Sequence, residues 1–168
     1  GTKTYVYEIY EQLKGRMIDS LIIPVGNGTL LLGAYYGLKE LLSLGLIDRY
    51  PRIIGVQSAN CSPIYQAFRE GRNQVEEVPN RGTHAEGIAI AAPKRGSQVL
   101  EAIRATGGDI ILAAEDKIME TQMELARKGL YVEITTAATF AAFNEYVKDG
   151  RDLGRVLLTL CGAGLKSS

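Results

Sequence analysis

The chain has no tryptophan, one histidine and two cysteines. His84, Cys61 and Cys161 are too few and too scattered for a Cys/His metal site, so none is expected. Charge of one sign is not in excess either: 19 Lys and Arg balance 19 Asp and Glu. That argues against a nucleic-acid partner, because such binders concentrate basic charge on one face. No apolar run is long enough to span a membrane, and nothing at the start resembles a signal peptide, so a cytoplasmic protein without a membrane partner is expected. Internal repeats, linkers and low-complexity segments are also lacking. What remains is an ordinary globular composition, 46% hydrophobic and 23% charged over 168 residues, enough for one domain with a sizeable core. The opening Gly1-Thr2-Lys3-Thr4 has no initiator Met, which reads as a cut boundary or a cleavage point in place of a natural terminus.

Helical and strand patterns alternate with short connections. Residues 4–13 read as a helix ended by Gly15, and residues 21–25 as a buried strand. Residues 29–45 form a helix apolar nearly all round, with Gly33 and Gly37 one turn apart for close packing on a sheet. Residues 53–57 make a second strand, and a short helix starts at Ser62-Pro63. Residues 69–86 are charged, aperiodic and carry Gly71, Pro79 and Gly82; they read as a long loop, solvated in preference to an active-site loop, with His84 a loop residue in preference to a general base. Further on come a helix over 97–106, a strand over 109–113 and an amphipathic helix over 115–128, with Met119, Met123 and Ala126 on one face. A strand at Tyr131-Val132-Glu133, a helix over 136–147 and a strand over 155–160 complete the pattern. The expected fold is α/β: a three-layer, mostly parallel twisted sheet with helices on both faces, in a single domain over residues 1–168.

The stretch Ile22-Ile23-Pro24-Val25-Gly26-Asn27-Gly28-Thr29 runs an apolar strand through a Gly/Asn turn directly into a helix. Glycines allow close backbone approach, and the first helical N–H groups lack intrahelical partners, so an anion is favoured there. The same glycines serve equally well in a plain tight turn, and on these residues alone both readings stand. A dinucleotide fingerprint fails because Leu31 occupies the third glycine position, and a P-loop fails because no Gly-Lys-Ser/Thr follows. Two later strand ends have comparable turn chemistry. In Glu133-Ile134-Thr135-Thr136-Ala137-Ala138, Thr135 or Thr136 is expected to cap the next helix. In Cys161-Gly162-Ala163-Gly164-Leu165-Lys166, the thiol by itself reads as a small buried hydrophobe.

Taken in order, these turns resemble the threonine synthase branch of the fold-type II pyridoxal-phosphate enzymes. That family carries a Val-Gly-Asn phosphate loop, a Glu-Pro-Ser/Thr-Ser-Ala-Ala stretch and a closing Thr-Gly-x-Gly-Leu-Lys stretch. Gly1-Thr2-Lys3-Thr4 and Ala85-Glu86-Gly87-Ile88-Ala89 add weaker matches. The resemblance implies pyridoxal 5'-phosphate as cofactor, with Gly26, Asn27, Gly28 and Thr29 holding its phosphate. Cys161 stands where the family sets a hydroxyl or thiol against the pyridine nitrogen. A neutral partner there leaves the ring a weaker electron sink, which suits elimination and replacement chemistry.

The family's Schiff-base lysine lies in a Ser-x-Lys segment before the phosphate loop. None of Lys3, Lys14, Lys39, Lys94, Lys117, Lys128, Lys148 or Lys166 occupies that context. Gly28-Thr29, Ile134 and Ala163 also depart from the family pattern and leave the substrate open. The resemblance thus implies the C-terminal portion of an enzyme that processes an amino acid such as O-phosphohomoserine, with no catalytic residue in this portion and no activity on its own. Apolar faces left by the remainder imply a homo-oligomer. The alternatives are a phosphate- or nucleotide-binding module without covalent chemistry, and a non-catalytic subunit that works by association.

Overall fold

A computed structural model describes residues 1–164. Four strands, β1 (Ser20–Pro24), β2 (Arg52–Ser58), β3 (Asp109–Ala113) and β4 (Val156–Leu158), form one sheet in the order β3-β2-β1-β4, with every pair parallel. Alternation along the strands explains the layers, since successive side chains point to opposite faces. Leu21, Ile23, Val25, Ile53 and Ile110 enter one core, while Ile22, Ile54, Val56, Ile111 and Ala113 enter the other. Both faces are therefore covered, as a parallel sheet of continuous apolar strands requires.

The first core is closed by α1 (Thr4–Gln12), α2 (Thr29–Ser43), α3 (Pro63–Arg69) and α4 (Gly96–Ala105). The second is closed by α5 (Glu115–Arg127) and α6 (Ile134–Val147). The α/β three-layer architecture expected from the sequence is the one observed. Gly33 and Gly37 do permit close packing, but against α1 and the residues just before it rather than the sheet: Cβ atoms there would collide with Thr2 and Val6.

Two local expectations are corrected. Tyr131-Val132-Glu133 is not a strand of the sheet; Val132 makes one isolated antiparallel bridge to Ala163. Only four positions separate the C-cap Lys128 of α5 from the N-cap Glu133 of α6. The segment is consumed in joining two helices on one face, and Tyr131 stays 70% exposed. In α5, Ile118, Thr121 and Leu125 turn inward, whereas Met119 and Met123 face solvent. Helical period alone does not choose between two part-apolar faces; contact with α6 does. Among the described residues no helix is long and apolar enough to cross a membrane.

Candidate functional site

In parallel sheets ligands gather beyond the C-terminal strand ends, where the connections diverge to opposite faces. Here that point lies between β1 and β4: the helix leaving β1 covers one face, and the helices preceding β4 cover the other.

At the end of β1 the chain turns through Val25-Gly26-Asn27 to Gly28, the N-cap of α2, which has φ +86° in the left-handed region. Only glycine adopts that conformation without strain. No side chain caps α2, so its first-turn N–H groups and the positive end of the helix dipole are without a side-chain partner. Gly26 is required for a different reason: a Cβ there would sit 2.8 Å from the Gly87 carbonyl oxygen. Asn27 and Thr29 are exposed beside this turn. A narrow glycine cradle, an uncapped helix start and two adjacent polar side chains fit a phosphate group.

The end of β4 is fastened to β1. Thr159 Oγ1 and the Thr159 N–H both donate to the Ile22 carbonyl, at 2.9 and 3.1 Å, and the Tyr5 and Thr159 hydroxyls lie 2.8 Å apart. Cys161 follows, and its N–H donates to Thr136 Oγ1 at 3.1 Å. This corrects the capping expectation: α6 starts at Ile134 with Glu133 as N-cap and no side-chain cap. Thr136 instead ties the Cys161 segment in place, and Thr139 rather than Thr135 makes a hydroxyl bond along the helix, to the Thr135 carbonyl.

Cys161 is not a buried hydrophobe; Cys61 is, and Cys161 is exposed. Enough chain still surrounds the thiol that burial, followed by the nearby Glu133 carboxylate, pushes it up to about 11. At neutral pH it is therefore a protonated, neutral hydrogen-bonding group, as a partner for a pyridine nitrogen should be. Glu133 packs on the next residue, since a Cβ on Gly162 would lie 2.7 Å from Glu133 Oε2. Lys166 lies outside the described residues.

A cleft of about 800 Å³ opens beside these two strand ends and is lined by Asn60, His84, Glu86, Glu115, Glu133 and Thr135 among others. Gly26, Asn27, Gly28, Thr29 and Cys161 are not among its lining residues. They adjoin it through Gly87, whose carbonyl meets Gly26, and through Glu133, which lies against Gly162.

Glu115, the first residue of α5, organises the far wall. Its carboxylate accepts from Ser58 Oγ at 2.9 Å, from the Thr83 hydroxyl, and from His84 N–H at 3.1 Å, while His84 Nδ1 stands 3.1 Å away. Burial raises this carboxyl, but the bonds from Thr83, His84 and Ser58 outweigh it and hold it below the ordinary carboxylate range. Sequence reasoning missed Glu115, Ser58 and Asn60. The one legible signal was an acid in the first turn of a helix that follows a strand. His84, expected in a solvated loop, does lie in a loop, and that loop is held against the cleft.

The chain matches the family model described as pyridoxal-phosphate dependent enzyme over residues 1–162. It is 34% identical to threonine synthase of Methanocaldococcus jannaschii over 99% of this chain and 42% of that protein. It is 33% identical to threonine synthase of Methanosarcina acetivorans over 96% of this chain and 40% of that one. The chain thus spans about two fifths of the length of these curated relatives. Among solved structures, a threonine deaminase of T.th. superimposes with a TM-score of 0.72 at 26% identity, covering 98% of this chain and 55% of that one. A fungal L-serine ammonia-lyase from Rhizomucor miehei shares the fold with a TM-score of 0.78 at 19% identity, over 97% and 51%. The three-layer sheet, the glycine cradle at the end of β1 and the family match over nearly the whole chain agree: this chain belongs to the pyridoxal-phosphate dependent enzymes.

Proposed function

We propose that the chain supplies the phosphate and ring-nitrogen side of the pyridoxal 5'-phosphate site in a threonine synthase-like enzyme, as the C-terminal portion of a longer protein. In this reading Gly26, Asn27, Gly28 and Thr29 hold the cofactor phosphate, and Cys161 meets the pyridine nitrogen through its protonated thiol. The observation that carries the reading is the adjacency of β1 and β4, which sets an uncapped helix start and a neutral thiol at neighbouring strand ends. When bound, the cofactor supplies the electron sink for elimination and replacement at an amino-acid substrate. The residues of this chain orient the phosphate, keep a neutral partner at the ring nitrogen and form one wall of the substrate cleft.

O-phosphohomoserine is the proposed substrate of the whole enzyme, by similarity to the threonine synthases. The chain alone is proposed to be inactive. No lysine lines the cleft among the described residues, and none sits in the family's Ser-x-Lys context. Function in the cytoplasm and association into a homo-oligomer belong to the same proposal. The exposed Met123, Leu130, Tyr131 and Leu160 support association, and a monomeric sedimentation profile would count against it.

The test is a pyridoxal-phosphate titration followed by borohydride reduction and peptide mapping. Reversible binding competed away by inorganic phosphate, without a uniquely labelled lysine, is the expected result. A single labelled lysine would overturn the assignment of this chain as lacking the catalytic position. Preferential binding of ADP or NAD would favour a nucleotide-binding module instead.

A further inference from the structure

The segment that carries Cys161 is held from both faces of the sheet, and one of the two holds has no role in the cofactor reading. β4 is three residues long and lies at the sheet edge, and its pairing with β1 ends at Leu158. Beyond that point the chain depends on separate ties. From the second core, Thr136 Oγ1 accepts from the Cys161 N–H, and the Glu133 N–H donates to the Gly162 carbonyl at 3.1 Å. From the first core, Tyr5 of α1 reaches Thr159, two residues before Cys161.

The direction of the Tyr5–Thr159 bond follows from the protons available. A hydroxyl has one proton to give, and Thr159 Oγ1 gives its own to the Ile22 carbonyl. It can therefore only accept from Tyr5, so the Tyr5 O–H is the donor. Burial pushes the Tyr5 hydroxyl up from its ordinary value, and the neighbouring Cys161 adds to that shift, so Tyr5 stays a protonated donor at neutral pH. Thr159 is 6% exposed and Tyr5 is half-buried against the first core, which leaves water little access to this bond. Tyr5, Thr159 and the Ile22 carbonyl thus form a chain of bonds from α1 through β4 to β1.

We propose that Tyr5 is a positioning residue for the ring-nitrogen contact: its hydroxyl, bound to Thr159, fixes the end of β4 so that the Cys161 thiol is presented in one place. A thiol on a loosely tied segment would have to be ordered each time a ring arrived, and that ordering offsets much of the worth of one neutral hydrogen bond. Tyr5 therefore acts through Cys161 without touching the cofactor. This inference rests on the cofactor reading above, which sets Cys161 against the pyridine nitrogen.

Two probes isolate the ring nitrogen: pyridoxine 5'-phosphate, which has no aldehyde to react with lysines, and its carbocyclic analogue with CH in place of that nitrogen. Their affinities for the full chain are measured by isothermal titration calorimetry. One neutral hydrogen bond corresponds to about a 2- to 10-fold preference for the pyridine. Cys161→Ala is expected to abolish the preference. Tyr5→Phe, which removes only the hydroxyl, is expected to lower it toward equality while the carbocyclic analogue binds as before. Thr159→Ser keeps the acceptor and is expected to keep the preference. If the wild-type chain shows a preference that Cys161→Ala abolishes and Tyr5→Phe leaves intact, the assignment of Tyr5 is wrong and the cofactor reading stands. Equal weakening of both probes by Tyr5→Phe would overturn the proposal and make the bond a general fastening of α1 to β4. Loss of the preference in Thr159→Ser would also overturn it, because packing of the methyl group rather than the hydroxyl chain would then set the segment. If the wild-type chain binds both probes equally, or neither, the cofactor reading fails at Cys161 or altogether, and this inference fails with it.

Discussion

Gly28→Ala would test the phosphate cradle and the packing behind it together. Two costs add. A residue with a Cβ at φ +86° leaves the allowed regions, which costs about 1–2 kcal/mol. The new methyl would also collide with Val99 Cγ2 on α4, and Val99 is fully buried and unable to retreat into solvent. Forcing an off-rotamer shift in such a packed residue adds about 1–3 kcal/mol. The sum, about 2–5 kcal/mol, corresponds to a drop in melting temperature of about 4–20 °C for a domain of this size. Gly45→Ala is the matched control. Gly45 is also left-handed, at φ +69°, but nothing lies within 4 Å of its added Cβ, so it carries only the backbone cost. Thermal denaturation of both variants by circular dichroism separates the two contributions. Equal melting temperatures for Gly28→Ala and Gly45→Ala would refute the claim that α4 buttresses the cradle. A Gly28→Ala chain still folded at low temperature is also expected to bind inorganic phosphate and pyridoxal phosphate more weakly.

Glu115 has a depressed pKa in the fold, so its contribution to stability is complete above the ordinary carboxylate range and is lost as pH falls through the depressed value. Melting curves between pH 7 and pH 3 should therefore show an acid-dependent loss that is smaller in Glu115→Gln, and parallel curves would contradict the assignment. Cys161, raised to about 11, should react with iodoacetamide at pH 8 more slowly than an ordinary exposed thiol. Burial is the larger cause of that shift, so Glu133→Gln should speed alkylation only modestly; rapid labelling of the unmodified chain would show the thiol to be poorly shielded. Ile22 is fully buried in the second core, so Ile22→Ala should cost about 2–5 kcal/mol in urea unfolding. A cost below about 1 kcal/mol would mean that this face of the sheet is loosely packed.

The parallel α/β sheet was legible because continuous apolar strands and periodic helices each bury their own pattern, and the tight glycine turn was legible because Gly26 and Gly28 stand between a strand and a helix. The role of Thr136 was not legible. Its place in the first turn of α6, and its bond to the Cys161 N–H, depend on β4 returning beside β1. The inward face of α5 was misread for a similar reason, because Met119 and Ile118 are both apolar and only α6 decides between them.

The layers and the cradle follow from local spacing, and so were written in the chain before it folded: period 2 along strands, period 3.6 along helices, and glycine where φ must be positive. The wall of the cleft is a product of the assembled fold. Ser58 from β2 and Thr83 and His84 from a loop are brought onto the carboxylate of Glu115 in α5. No local pattern marks residues that meet only when the strand order is complete.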